Sequence, residues 1–171
     1  VHGTETIAMA THRIAQLGLG YCPEERGIFS SLSAEENLML PPTLAEGGMS
    51  VDQIYEMFPN LRERAQSQGT RLSGGEQQML AVARILRTGA RLLLLDEISE
   101  GLAPVILELM ADAVLRMKRE GIAVLLSEQN FDFAAAVADR AYVIERGEIR
   151  YDGSMAALDI DPALRAQHLS L

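Results

Sequence analysis

Continuous apolar runs alternate with helix-spaced apolar positions in the second half of the chain. Residues 92–95 and 122–126 are short runs that are apolar throughout, which is typical of parallel strands covered on both faces. Between them, apolar residues recur at helical spacing, with Pro104 near the first turn and Gly121 as the stop signal. This order predicts a strand, helix, strand unit.

Shorter elements are predicted on both sides of that unit. A further helix is expected over residues 131–138, followed by a strand over residues 141–145, a turn at residues 146–148 and a short strand over residues 149–151. Near the start of the chain, residues 17–21 predict a short strand that leads into a polar loop. These elements together predict an α/β fold.

The stretch over residues 35–88 has a different pattern, because proline and glycine pairs interrupt it. Its amphipathic part carries apolar residues at helical spacing: Ile54, Met57, Phe58 and Leu61. We interpret it as a helical subdomain inserted into a partial domain over residues 1–171, whose α/β core comprises residues 1–34 and 89–171. The apolar positions can belong to a core or to a docking surface, and both interpretations stay open.

Composition and charge narrow the class of protein. The chain has 171 residues, 48% of them hydrophobic, which favours one folded domain over disorder. It carries 24 acidic and 15 basic residues, and a net charge of -9 argues against nucleic acid as a partner. No apolar run approaches the roughly 20 residues of a spanning helix, so no direct membrane span is expected. A single cysteine, Cys22, excludes an intramolecular disulfide and favours a reducing, cytoplasmic setting.

The most specific motif begins the helix that precedes residue 89. The motif residues are Leu72, Ser73, Gly74, Gly75, Glu76, Gln77 and Gln78. Ser73 can cap the helix and Glu76 can complete a capping box. The two glycines let backbone amides approach a phosphate at the positive end of the helix. Ser-x-x-Glu alone predicts only a well-capped helix, whereas the whole string predicts an anion site.

A second motif places two carboxylates at the end of the strand over residues 92–95. Ligands of α/β sheets bind at the carboxyl ends of the strands, where Asp96 and Glu97 follow. Asp96 would hold Mg²⁺, directly or through water, and Glu97 would polarise a water that attacks a γ-phosphate. The alternative is an ordinary turn with solvated acids.

The order of these two motifs resembles the ATP-binding subunit of ABC transporters, over almost the whole chain. The resemblance implies a P-loop NTPase fold, ATP and Mg²⁺ as cofactors, and a second ATPase subunit as partner. In such a dimer Ser73, Gly74 and Gly75 of one subunit contact the γ-phosphate that the other subunit mainly binds. It also implies membrane permease subunits that dock on the helical subdomain, and a peripheral location at the cytoplasmic face of the inner or plasma membrane.

Three further segments resemble the branch that imports branched-chain amino acids and the related amide and urea importers. Glu24 stands where most members have Gln, and Gln129 stands where most have the His that senses the γ-phosphate. Residues 102–104 end in Pro where Asp is usual. The resemblance implies that Glu24 and Gln129 join Glu97 in catalysis, with Glu24 reaching Mg²⁺ or the attacking water. Glu24 can also be a solvated loop acid.

The phosphate-binding loop of this family is not found in the sequence. No Gly-x-x-x-x-Gly-Lys is followed by Ser or Thr, so we expect a truncation that leaves the phosphate-loop strand out of the sheet. The isolated chain is then expected to bind ATP poorly, to be inactive and to self-associate through exposed strand edges. Alternatively it is a non-catalytic module that lends its signature motif to a complete partner. An ATPase of DNA repair or chromosome structure fits the acidic balance less well.

Overall fold

The computed structural model of the chain describes residue 1 and residues 3–169, the side chains of residues 167–169 excepted. The chain forms two compact units, Val1–Gln129 and Asn130–Leu171. The first unit carries the sites that the sequence predicts, and the second is a helix and hairpin unit. Each has its own elements.

A three-stranded parallel sheet organises the first unit. Its strands are β1 (Leu19–Cys22), β2 (Leu92–Asp96) and β3 (Ala123–Ser127), in the order β1-β2-β3. The register pairs Cys22 with Leu95 and Asp96 with Ser127, so the carboxyl ends of all three strands lie at the same edge. The predicted α/β fold with a parallel sheet is confirmed.

Six α-helices and one 3-10 turn complete the described part of this unit. The helices are α1 (Thr11–Gln16), α2 (Ala34–Met39), α3 (Val51–Met57), α4 (Pro59–Glu63), α5 (Gly74–Leu86) and α6 (Pro104–Arg119), and the 3-10 turn is Gly69–Arg71. A capping box begins α2, α3 and α5, with Ser33, Ser50 and Ser73 as the capping residues. The shared cap shows that Ser-x-x-Glu or Ser-x-x-Gln is a helix start in this protein, and the Gly pair is what distinguishes α5.

Helix α5 lies directly against the sheet at Gly20 of β1. A Cβ atom at Gly20 would overlap Cγ2 of Ile85 and would lie 2.9 Å from Cδ2 of Leu93. Only glycine allows the helix to come this close to the strand. The buried residues of this unit include the following, all under 2% exposed: Met79, Leu80, Leu93, Leu95, Ile98, Met110 and Met117.

The opposite face of the sheet is more open than the apolar runs predict. Leu125 of β3 is 59% exposed, and Ala123 and Ser127, which point to the same face, are also exposed. Within the described residues β3 pairs with β2 alone. An apolar run indicates which residues can be buried, but it does not determine which element lies against them, and the expectation of two covered faces is not met for β3.

The second unit contains a helix, an antiparallel hairpin and two terminal helices. These are α7 (Phe131–Val137), β4 (Arg140–Glu145), β5 (Glu148–Ser154), α8 (Met155–Ile160) and α9 (Pro162–Leu169). Arg146 and Gly147 have φ values of 51° and 81°, as two-residue hairpin turns require. Ala141, Met155 and Leu158 form the small core.

The described helices are short compared with a membrane span. The longest of those between residues 3 and 169 is α6, with 16 residues. None of the helices in the described part of the chain combines the length and apolar character that crossing a bilayer requires.

Candidate functional site

The acidic pair lies at the carboxyl end of β2. Asp96 is the last residue of the strand, and the hydroxyl of Tyr21 donates to its Oδ2 over 3.3 Å. Glu97 follows with a φ of 49°, the left-handed region that non-glycine residues seldom adopt. Its backbone N–H donates to the carbonyl oxygen of Ser127 over 2.9 Å. The turn therefore holds Glu97 beside the end of β3.

Glu97 and Gln129 are in direct contact. Nε2 of Gln129 donates to Oε1 of Glu97 over 2.6 Å. The structure thus joins two residues that are 32 positions apart and that the sequence predicted for one catalytic site. An amide can orient a carboxylate or a water, but it cannot transfer a proton as imidazole does. Their catalytic roles stay predictions.

Glu24 lies in the loop after β1, near the same strand ends. Its carboxyl group lies close enough to that of Glu100 for the two negative charges to repel each other. The negative charge of Glu100, then partial desolvation and the charge of Glu25, raise the pKa of Glu24 above its ordinary value, and Glu97 adds a smaller repulsion. Glu24 is therefore an exposed acid in a group of like charges. Glu100 belongs to this group, and no sequence motif indicated it.

Replacing Glu100 by Gln is expected to lower the pKa of Glu24, because the largest source of repulsion disappears. NMR titration of the side-chain carboxyl carbon of Glu24 measures this pKa. A raised pKa means that the ionised pair disfavours the folded state above that pKa, so any gain in stability from Glu100→Gln should appear at neutral pH. It should vanish as the pH falls through the pKa of Glu24. Glu108→Gln, an exposed change on α6, is the matched control, and an unchanged pKa of Glu24 would contradict the assignment.

The predicted signature motif forms a capped helix start, as expected. Oε2 of Glu76 accepts from the backbone N–H of Ser73 over 2.7 Å, and Oγ of Ser73 accepts from the N–H of Glu76 over 3.3 Å. Nε2 of Gln77 donates to the carbonyl oxygen of Leu72 over 3.2 Å. Ser73 and Gly74 are exposed, whereas Leu72 is buried. The start of α5 is therefore capped and exposed.

The two glycines of the motif also have close neighbours. A Cβ at Gly74 would lie 3.2 Å from Nη1 of Arg26, and a Cβ at Gly75 would lie 3.0 Å from Cγ1 and Cγ2 of Ile106. Side chains at these two positions would crowd the loop after β1 and the start of α6. The glycines thus serve packing in addition to leaving the backbone amides accessible.

Arg26 is a contact residue that the sequence did not predict. It has a φ of 63°, and its Nε donates to Oε1 of Gln78 over 2.8 Å. Its Nη2 reaches the carbonyl oxygen of Glu100 at 3.5 Å. Gln78 is only 1% exposed, and a polar residue at a buried helix position was the one sequence signal for this contact. Arg26 therefore joins the loops after β1 and β2 to α5.

Cys22 is buried beside this contact. Burial is the main cause that raises its pKa to about 12, and Nε2 of Gln78 lies 3.9 Å from its Sγ. A thiol that stays protonated at neutral pH is a poor nucleophile and metal ligand. The structure gives Cys22 a packing environment.

A parallel α/β sheet with an acidic pair at its strand ends, together with a glycine-rich capped helix, is an arrangement typical of α/β domains that bind phosphates. The family model described as ABC transporter matches residues 2–100. The chain belongs to the ABC transporter family, as the resemblance implied. ATP binding and hydrolysis are general properties of this family.

Two relatives carry names of branched-chain amino-acid transport. The chain is 39% identical over 170 residues to the high-affinity branched-chain amino acid transport ATP-binding protein BraG of Pseudomonas aeruginosa, covering 98% of this chain and 73% of that protein. It is 32% identical over 158 residues to the probable branched-chain amino acid transport ATP-binding protein LivF of Archaeoglobus fulgidus, covering 90% and 67%. The lipopolysaccharide export ATP-binding protein LptB of Escherichia coli K12 is 29% identical, covering 92% and 68%.

Solved structures agree with the fold. An ATP-binding cassette described as a dimer in a post-hydrolysis state, bound to ADP and phosphate, has a TM-score of 0.73 at 20% identity, covering 91% of this chain and 72% of that one. The ADP conformation of another ATP-binding cassette has a TM-score of 0.69 at 19% identity, covering 89% and 68%. The predicted fold class is thereby confirmed.

Proposed function

We propose that this chain is the ATP-hydrolysing part of an ABC importer for branched-chain amino acids or a similar small solute. The observation that carries the proposal is the contact between Glu97 and Gln129 at the carboxyl end of β2, beside Asp96. The names of the two branched-chain relatives support the solute class. Matches to lipopolysaccharide exporters share the ATPase fold, but they are less identical to this chain.

Glu97 would act as the general base. A carboxylate at the end of a strand can accept a proton from a water that is positioned against the γ-phosphate. Gln129 would hold that carboxylate through the bond to its Oε1. Glu24 lies in the loop after the neighbouring strand β1, at the same edge of the sheet, where a second carboxyl group could orient the water.

Asp96 fits a magnesium ion that arrives with the nucleotide. The described residues contain no group of three or more His, Cys, Asp or Glu that could hold a metal by themselves. Mg²⁺ in nucleotide sites usually takes one or two carboxylates, with phosphates and waters as the remaining ligands. Asp96 is half-buried and its Oδ2 already accepts from Tyr21, so it could bind the ion directly or through water. The ion would neutralise phosphate charge.

The start of α5 would act on a nucleotide held by a second ATPase subunit. The first N–H groups of a helix have no partner within the helix, so those of Gly74 and Gly75 can donate to phosphate oxygens. Ser73 is held in place by its capping bonds and is exposed. The partner would be a second copy or a homologous subunit, facing this chain head to tail.

A groove between α2 and α3 would receive a membrane permease subunit. It has a volume of about 450 Å³ and is lined by Ser33, Glu35, Glu36, Met39, Val51 and Gln66. Met39 is 51% exposed, and two carboxylates favour a segment with both apolar and basic residues. This docking would place the chain at the cytoplasmic face of the inner or plasma membrane as a peripheral subunit.

We further infer that the isolated chain binds ATP weakly and is inactive, because its sequence has no phosphate-binding loop of the Gly-x-x-x-x-Gly-Lys type. The exposed signature motif favours one alternative function, a module that lends this motif to a complete partner without hydrolysing ATP itself. Both functions predict weak ATP binding by the chain alone. They differ because hydrolysis by this chain requires Glu97, whereas a module that only lends its signature motif does not.

Calorimetric titration with ATP and Mg²⁺ tests this inference. We expect no detectable heat for the chain alone, and we expect a mixed dimer with a raised ATPase rate when an intact branched-chain ATP-binding subunit is added. Gly74→Asp, which places a negative side chain at the helix start, should abolish the rate increase, whereas Glu108→Gln should retain it. Micromolar binding by the chain alone would refute weak binding. A mixture without dimer or rate change would refute the proposed function.

A further inference from the structure

The loop after β2 and the loop after β3 are joined by an interaction that lies outside the signature motif and the acidic pair. Ser99, two residues after Glu97, is 5% exposed. Its backbone N–H donates to Oε1 of Glu128 over 2.9 Å, and its hydroxyl donates to Oε2 over 2.6 Å. We call this pair the Ser99–Glu128 clamp. One carboxylate thus uses both oxygens to hold one residue.

The clamp is interleaved with the contacts of Glu97. Glu97 donates its N–H to Ser127, the residue before Glu128, and accepts from Gln129, the residue after it. Ladder pairing between β2 and β3 ends at Asp96 and Ser127. The three interactions therefore continue the association of the two chain segments beyond the sheet.

These interactions hold Glu97 in a backbone conformation that is unfavourable by itself. A left-handed φ is unfavourable for a residue with a side chain, and it persists where surrounding contacts hold it. Glu97 is joined to the loop after β3 by one backbone bond and by an exposed side-chain bond. Ser99 is held by two bonds to a charged acceptor, which are stronger than neutral ones. The clamp thus adds two charge-assisted hydrogen bonds between the two loops.

We propose that Glu128 is a positioning residue that, through Ser99, keeps Glu97 in its left-handed conformation and in contact with Gln129. The proposal rests on the proposed function only for its effect on hydrolysis. Gln at position 128 has the same shape but replaces the charged acceptor by a neutral amide, whose bonds to Ser99 are weaker, and Ala at position 99 removes the hydroxyl donor. Both variants should release the turn.

Hydrogen exchange of the full chain, read by NMR, tests the conformational part. In Glu128→Gln and in Ser99→Ala we expect exchange of the Glu97 amide to accelerate about tenfold or more, as for the loss of a hydrogen bond to a charged group. Core amides of Met110 and Met117 should stay within about twofold, since the change is local. Glu108→Gln should change the exchange rate of neither the Glu97 amide nor the core amides. If Glu128→Gln does not fold, Ser99→Ala decides the result.

Uniform acceleration at all amides would show a merely structural role and overturn the proposal, as would unchanged exchange at Glu97 in the folded variants. The second measurement is ATP turnover in the assembly with an intact subunit. We expect kcat to fall about tenfold while KM for ATP changes less than about twofold, because positioning acts on the reacting state. An increase in KM with kcat retained would overturn the proposal. If the unsubstituted chain supports no turnover, the proposed function fails, and hydrogen exchange still decides on the clamp.

Discussion

Replacing Glu97 by Gln is expected to abolish ATP turnover in a version of this chain completed with a phosphate-binding loop, while ATP-induced dimers persist. Loss of a general base typically lowers the rate by a factor on the order of 10² to 10⁴. Gln keeps the size of Glu and retains an oxygen that can accept from Gln129 over the observed 2.6 Å, so the turn should stay folded. Phosphate release measures the rate, and light scattering measures the dimers.

The matched control for this prediction is Glu108→Gln, which removes one carboxylate from the exposed side of α6. It should leave both rate and dimers unchanged. Hydrolysis that continues at the original rate in Glu97→Gln would remove Glu97 from the role of base. Hydrolysis lost together with dimer formation would instead indicate a binding role, because the base acts only after the nucleotide is bound.

Gly20→Ala is expected to lower the stability of the first unit, because the added methyl group has no room between α5 and β1. The new Cβ would overlap Cγ2 of Ile85 and would lie 2.9 Å from Cδ2 of Leu93. Overpacking of this kind costs about 1 to 3 kcal/mol, and the gain from a stiffer unfolded chain is only about 0.4 to 1 kcal/mol. Overlap therefore dominates, and we expect a lower urea midpoint with an unchanged m-value.

The same change in a background of Ile85→Ala provides the control. Removing Cγ2 of Ile85 makes room for the new methyl group, so Gly20→Ala should then cost less than about 1 kcal/mol, a coupling between neighbouring sites. An equal cost in both backgrounds would mean that α5 does not approach β1 as closely as described. A stabilised single variant would mean the same.

The sheet and the signature helix could be predicted because their signals are local. The apolar run over residues 92–95 became β2, and the run over residues 122–126 became β3 with a shift of one residue. Ser73 and Glu76 form the capping box that their spacing predicts. Short α1 and the two terminal helices α8 and α9 were not predicted, since six to eight residues seldom carry a clear period.

The contacts that complete the site could not be predicted, because they join distant residues. Arg26 meets Gln78 across 52 positions, and Ser99 meets Glu128 across 29. No local pattern of apolar or polar residues reports such pairs. Ile98 shows the same limit, because no local pattern marks it as buried, whereas the structure shows it 0% exposed within the core. A large apolar side chain is therefore favoured there by burial.

At Glu97, the residue type that would stabilise the backbone conformation differs from the one that can accept a proton. A side chain in the left-handed region raises the energy of the folded state by about 1 to 2 kcal/mol, at a φ of 49°. Asn or Gly adopts that conformation more readily, but neither can accept the proton. Variants chosen for thermal resistance alone should therefore tend to discard Glu97, whereas variants chosen for solute uptake should retain it and tolerate a lower melting temperature.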